Sequence, residues 1–302
     1  MFDKRVLRCF VFLALIVAPK TSHGESLLID ERFFDELFQP VNHTHFSQRG
    51  TPYVHPFTFE PPQIHQDAFF IYKFTENSME GSDQYETEAH LDWALTKRIG
   101  FVFASPLVGN RQDDGTHNVG MGDLEIAPRL MLIEEDSFIL ASNFVITVPT
   151  GNQDRDLGAG EVTLNPLLTT WHDLGDWNTL LLNFGPEVGV DSGAASMRYG
   201  CSLTHSWQGP ALLGAEGHNW HDEHDQSHDH ARHFAPGMQT LYLEFNGETP
   251  LDDSSAPTLL ELMPGFSYVL TESAEIRFGV LLPVSDTKRF DRQYFASFTW
   301  IF

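Results

Sequence analysis

From about residue 66 to residue 302 the chain is a succession of short segments in which apolar and polar side chains alternate, each closed by a turn or a polar loop. A period of two puts neighbouring residues on opposite faces of a strand. One face of 177–191 is Leu180, Leu182, Phe184, Val188 and Val190, and one face of 273–285 is Ile276, Phe278, Val280, Leu282 and Val284. The opposite faces are charged. They carry Glu86, Glu88, His90 and Asp92; Asp123, Glu125 and Arg129; Glu187; Arg198; Glu244; Glu261; and Arg277. Charges are costly against lipid, so these faces are expected to line a lumen.

Twelve strands follow, at 67–76, 84–96, 99–109, 120–133, 137–149, 160–172, 177–191, 196–207, 238–249, 257–271, 273–285 and 292–302. Beyond residue 24 no run approaches the roughly 20 apolar residues of a membrane helix. Only helices and closed barrels satisfy every backbone polar group in hydrocarbon. The expected fold is therefore all-β: an antiparallel up-and-down transmembrane β-barrel of about twelve strands.

The ends agree with that reading. Lys4, Arg5 and Arg8 precede an apolar run from Cys9 to Ala18 and then a polar stretch to Gly24, which reads as a secretory signal peptide over residues 1–24. Its removal takes four basic residues and one acidic residue from a chain of formal charge −24, leaving −27. Such an acid excess argues against nucleic-acid partners and favours attraction of cations. Cys9 leaves with the signal, so Cys201 stands alone and no internal disulfide is expected. In the last segment Tyr294, Ala296, Phe298, Trp300 and Phe302 form one face. This aromatic ending resembles the C-terminal signature of bacterial outer-membrane barrels. The resemblance implies outer-membrane lipid as the surroundings, and reading by the barrel-assembly machinery through Tyr294, Phe298, Trp300 and Phe302.

Residues 25–65 differ from the rest. Asp30 to Phe38 suits a short helix, and 50–62 is extended and punctuated by proline. The segment is expected at the periplasmic side, either tucked into or under the barrel or as a disordered lead-in. Short turns at 96–99, 134–136, 173–176 and 271–273 are expected at the periplasmic rim. Longer loops at 110–119, 150–160, 191–196, 248–257 and 286–291 are expected outside. Asn152 to Asp156 offers oxygen ligands for calcium but lacks the glycine and distal glutamate of a calcium loop, so an ordinary polar turn is expected there.

Several landmarks resemble one family. They are Gly120-Met121-Gly122-Asp123-Leu124-Glu125-Ile126-Ala127-Pro128-Arg129, Val148-Pro149-Thr150-Gly151 with Leu157-Gly158-Ala159-Gly160, Met263-Pro264-Gly265-Phe266-Ser267-Tyr268, and Gly279-Val280-Leu281-Leu282-Pro283-Val284. They are similar to the outer-membrane "transporter" proteins of the MetA-pathway of phenol degradation. The likeness spans roughly residues 66–302 and implies a barrel that passes small, even aromatic, molecules. It marks no catalytic site.

Residues 208–237 interrupt the strands with His218, His221, His224, His228, His230 and His233, interleaved with Asp222, Asp225 and Asp229. Imidazole and carboxylate suit zinc, copper or nickel, so either weak, exchangeable metal binding or a solvated polar loop is expected, with no required cofactor. An even strand count puts this insert at the periplasmic rim. Three classes of function remain: a channel for small solutes with an acid-lined lumen, a metal-handling barrel, and, least favoured, a barrel-embedded enzyme. For the lumen charges, filling a narrow barrel with ion pairs and lining a conducting path remain equal readings.

Overall fold

The computed structural model describes residues 29–41, 44–78, 82–111, 115–212, 234–253 and 255–302. The signal peptide expected at 1–24 and the nine His and Asp residues expected as metal ligands at 218–233 lie outside the described residues.

Strands β1 (Asp67–Ser78), β2 (Ser82–Ala94), β3 (Ile99–Arg111), β4 (His117–Met121), β5 (Leu124–Glu135), β6 (Phe138–Val148) and β7 (Thr163–Gly175) are followed by β8 (Asn178–Gly189), β9 (Ala195–Gln208), β10 (Met238–Pro250), β11 (Leu259–Thr271), β12 (Ala274–Pro283) and β13 (Arg292–Ile301). Consecutive strands pair antiparallel except β4 and β5, which both pair with β3, and β1 pairs with β13 from Asp67↔Ile301 to Glu76↔Arg292, so the sheet closes. Closure leaves no unpaired edge in the membrane.

One expectation is corrected. The single strand expected at 120–133 is broken at Gly122-Asp123 into β4 and β5, and both pair with β3, at Leu107–Arg111 and Ile99–Ala104 respectively. The Asp123 carboxylate accepts hydrogen bonds from the backbone N–H groups of Gly151 (2.9 Å) and Ala159 (2.6 Å), drawing this stretch toward the loop after β6. The barrel wall therefore has twelve positions and thirteen strands. Within the polar turn expected at Asn152 to Asp156, Gln153–Arg155 form a short 3₁₀ turn.

The outer face is apolar. Phe70, Trp93, Leu241, Phe245, Phe278 and Trp300 are each about half exposed. On β13 the alternate residues Phe295, Ser297, Thr299 and Ile301 are buried inward. No helix among the described residues is long and apolar enough to cross a membrane.

Side chains alone fill a barrel of about eight strands, so twelve leave an interior to occupy. Residues 44–66 occupy the half nearest the chain termini. Tyr53 and Val54 pack there with the inward Met131, Ile139, Trp171, Leu181 and Tyr242, and the Tyr53 and Trp171 rings meet edge-to-face at 5.0 Å. Of the placements expected for the N-terminal segment, residues 44–66 have the one inside the barrel.

Below this inner segment, helix α1 (Phe33–Glu36) docks at the terminal end against the β2–β3 and β5–β6 turns. Arg98, fully buried in the β2–β3 turn, pairs with Glu36 and reaches Asp30 at 3.1 Å, while Lys97 Nζ is 2.5 Å from Glu36. Burial pushes the Glu36 carboxyl up, but the hydrogen bonds and charges of Lys97 and Arg98 outweigh it and hold its pKa below the ordinary value.

Candidate functional site: a plugged, charged lumen

Above the inner segment the barrel encloses a cavity of about 850 Å³, toward the end that carries the longer loops. Nine of the twelve residues expected in the lumen line it: Glu86, Glu88, His90, Asp123, Glu125, Glu187, Arg198, Glu261 and Arg277. Asp92, Arg129 and Glu244 lie deeper, buried against the inner segment.

The charges form local groups. Lys73 Nζ on β1 lies 2.7 Å from Glu86 and 3.0 Å from Glu88 on β2. Arg198 on β9 is 2.8 Å from Glu187 on β8. Arg289, which precedes β13, is 3.0 Å from Glu248 and 3.4 Å from Glu261. Cross-strand neighbours on one face stand close enough for such pairs. The cavity wall in all holds nine carboxylates, Glu60 and Asp156 among them, against four Lys and Arg side chains.

The floor is set by contacts between the inner segment and the wall. Arg129 on β5 donates to Glu60 Oε2 at 2.5 Å, to the Gln63 carbonyl at 2.7 Å and to Asn143 at 2.7 Å. His90 on β2 has Asp92 at 3.0 Å, Glu88 at 3.3 Å and Glu60 at 3.5 Å. Fully buried Glu244 on β10 accepts from the Phe57 N–H at 2.8 Å and the Thr58 hydroxyl at 2.7 Å. Arg277 on β12 donates to the carbonyls of His55 and Pro56, and its guanidinium lies 4.5 Å from the centre of the Phe57 ring. On β11 Gly265 makes room for that ring, because a Cβ there would come within 2.5 Å of it. Arg129 and Arg277 thus bind mainly to the inner segment, while Arg198 pairs across the wall. Both readings of the lumen charges have a counterpart: ion pairs fill the floor, and an acid-rich cavity opens above it.

Sequence reading did not single out His45, His55, Glu60, Gln63 or His65, all of which touch wall or neighbouring inner-segment groups here. The signal was present in composition. Residues 44–66 hold only Arg49 and Glu60 as charged side chains, in a chain otherwise rich in acid.

The fold and lumen define a class: a closed twelve-position antiparallel barrel with an apolar exterior and a lumen half filled by its own N-terminal segment. The structure is similar to that of an outer membrane channel from Pseudomonas putida F1, with a TM-score of 0.55 and 16% identity over 82% of this chain and all of that one. The NanC porin (TM-score 0.48, 10% identity, 78% of this chain and 100% of that one) and the KdgM porin (0.47, 8%, 78% and 99%) are more distant. No protein-family model and no curated protein matches the sequence. At such identities the likeness is one of fold.

Proposed function

We propose that this protein is an outer-membrane channel for small solutes, favouring cations, in which residues 44–66 limit passage. The carrying observation is the cavity of about 850 Å³, with nine carboxylates against four fixed cations, standing above a floor made by the chain itself. Low-dielectric walls focus such a field and raise the local concentration of oppositely charged solute. Aromatic solutes rest on the resemblance to the phenol-pathway transporter family. Support within the cavity comes from Phe57, Phe59, Phe69 and Phe290, which line it beside the charges. The protein is read as a passive pore without catalytic residues.

An outer-membrane location is supported by the apolar exterior. The outward Trp300 and Phe302 support recognition of the last strand by the assembly machinery. Reading the His/Asp tract as a weak divalent-metal collector at the periplasmic rim is supported by the pairing Met238↔Gln208, which roots the insert at the end that carries Asp67 and Ile301.

Planar-bilayer recording on the purified, folded protein tests the channel. Discrete conductance steps with a cation-selective reversal potential are expected, larger when residues 44–65 are deleted. Absence of conductance in both proteins, with no solute flux into liposomes, would overturn the proposal.

A further inference from the structure

Among the described residues, two groups of metal-capable side chains lie where the inner segment meets the wall. In the first, Glu60, His90 and Asp92 bring ligand atoms within 4.8 Å of one another. There Arg129 stands 2.5 Å from Glu60 and 3.6 Å from Asp92, so a guanidinium already supplies the positive charge.

The second group is different. His45, His65 and Asp67 bring ligand atoms within 4.8 Å of one another. His55 Nε2 approaches the same carboxylate, at 3.2 Å from Asp67 Oδ2, and His65 Nδ1 lies 3.6 Å from that oxygen. All four are more than nine-tenths buried, with exposures of 0% for His45, 6% for His55, 3% for His65 and 1% for Asp67. Among the described residues the ion-pair partners of Asp67 are those two histidines. Its Oδ1 accepts no hydrogen bond, and His55 Nε2 makes none despite its proximity. A buried carboxylate oxygen and a buried imidazole nitrogen left without hydrogen bonds, as Asp67 Oδ1 and His55 Nε2 are, are costly as they stand. A divalent ion would satisfy these atoms together. Tetrahedral zinc, with nitrogen and oxygen ligands near 2.0–2.1 Å, sets neighbouring ligand atoms about 3.4 Å apart, against 3.2 and 3.6 Å from Asp67 Oδ2 to His55 Nε2 and His65 Nδ1.

We propose that His45, His55, His65 and Asp67 form a buried site for a divalent transition metal, with zinc as the occupant that best fits three imidazoles and one carboxylate. The site joins the inner segment, which supplies three ligands, to the first residue of β1. Its ligands are different residues from those of the His/Asp tract at 218–233, and it does not depend on the channel reading.

The test uses a full-length background in which His218, His221, His224, His228, His230 and His233 are all changed to serine. The protein is folded in detergent and stripped with chelator. Titration with zinc chloride is followed by calorimetry and by metal analysis after desalting, and cobalt(II) reports coordination through its visible absorption. Expected results are one retained equivalent of zinc per chain, a tetrahedral cobalt spectrum, and affinity weakened at least ~10-fold in His65→Gln and in Asp67→Asn. Heat-modifiable gel mobility and the β-sheet spectrum identify variants that still fold. His45→Gln is the second variant should Asp67→Asn not fold. No retained zinc in the serine background, or binding unchanged in folded His65→Gln and His45→Gln, would overturn the site.

Discussion

The guanidinium of Arg129 on the wall donates a hydrogen bond at 2.5 Å to Oε2 of Glu60 on the inner segment, across the floor of the cavity. Arg129 is 3% exposed, with Asp92 3.6 Å away on its other side. Removing Glu60 leaves Arg129 with Asp92 as its carboxylate partner, so the cost falls below the ~3–5 kcal/mol of breaking a fully buried pair. Glu60→Ala is therefore expected to lower the urea midpoint of the folded protein and to raise single-channel conductance. An unchanged conductance would detach the floor from gating.

In the cavity wall, Glu86 and Glu88 flank Lys73 at 2.7 and 3.0 Å. Changing both to glutamine removes two of the nine carboxylates and leaves the lysine charge uncompensated. The reversal potential in a salt gradient should move toward zero or change sign. A potential identical to wild type would mean that this group stands off the conducting path.

At the mouth the acid response follows from Glu36. Its pKa is held below the ordinary value in the folded protein, so the unfolded chain binds its proton first as pH falls. The stability it contributes is complete above about pH 4.3, the ordinary glutamate value, and drains away as pH falls through the lower folded value. Urea midpoints measured through that range should fall for wild type and fall less for Glu36→Gln. Parallel curves would refute the assignment.

Trp171 is completely buried and meets Tyr53 edge-to-face. Trp171→Ala should destabilise the protein by about 3–5 kcal/mol through the cavity it leaves. It should also expose residues 44–66 to limited proteolysis from the terminal end. Resistance equal to wild type would show that this contact does not hold the inner segment.

Gly265 seats Phe57, and a methyl group there would overlap the ring. Gly265→Ala should cost about 1–3 kcal/mol, as overpacked sites do. The ring would also be pushed off the Arg277 guanidinium. A thermal midpoint unchanged from wild type would contradict the close approach.

Most of the wall was legible in the sequence because lipid on one side and a lumen on the other impose strict alternation. The stripe Leu180, Leu182, Phe184 and the charges Glu86, Glu88 and Arg198 follow from that rule alone. The break at Gly122-Asp123 was not legible, since the pattern on either side keeps its period and the cause is a pair of long-range hydrogen bonds that Asp123 accepts from the Gly151 and Ala159 N–H groups. Nor was the placement of His55, Glu60 and His65. An irregular segment has no period to announce which surface it meets, and its partners Arg129, Glu244 and Arg277 are distant in the chain. The tract at 218–233 stays a compositional reading, outside the described residues.

Strand β1 is joined to β13 along ten paired positions, and residues 44–66 run directly into β1 from within. A ring sealed along that seam offers no side door for a threaded tail. The tail must therefore be gathered inside before the first and last strands zip together, or slip in later through an open end. The order of those two events is written into where the chain enters its own cylinder, and a mutant that zips too early would trap its leading residues outside.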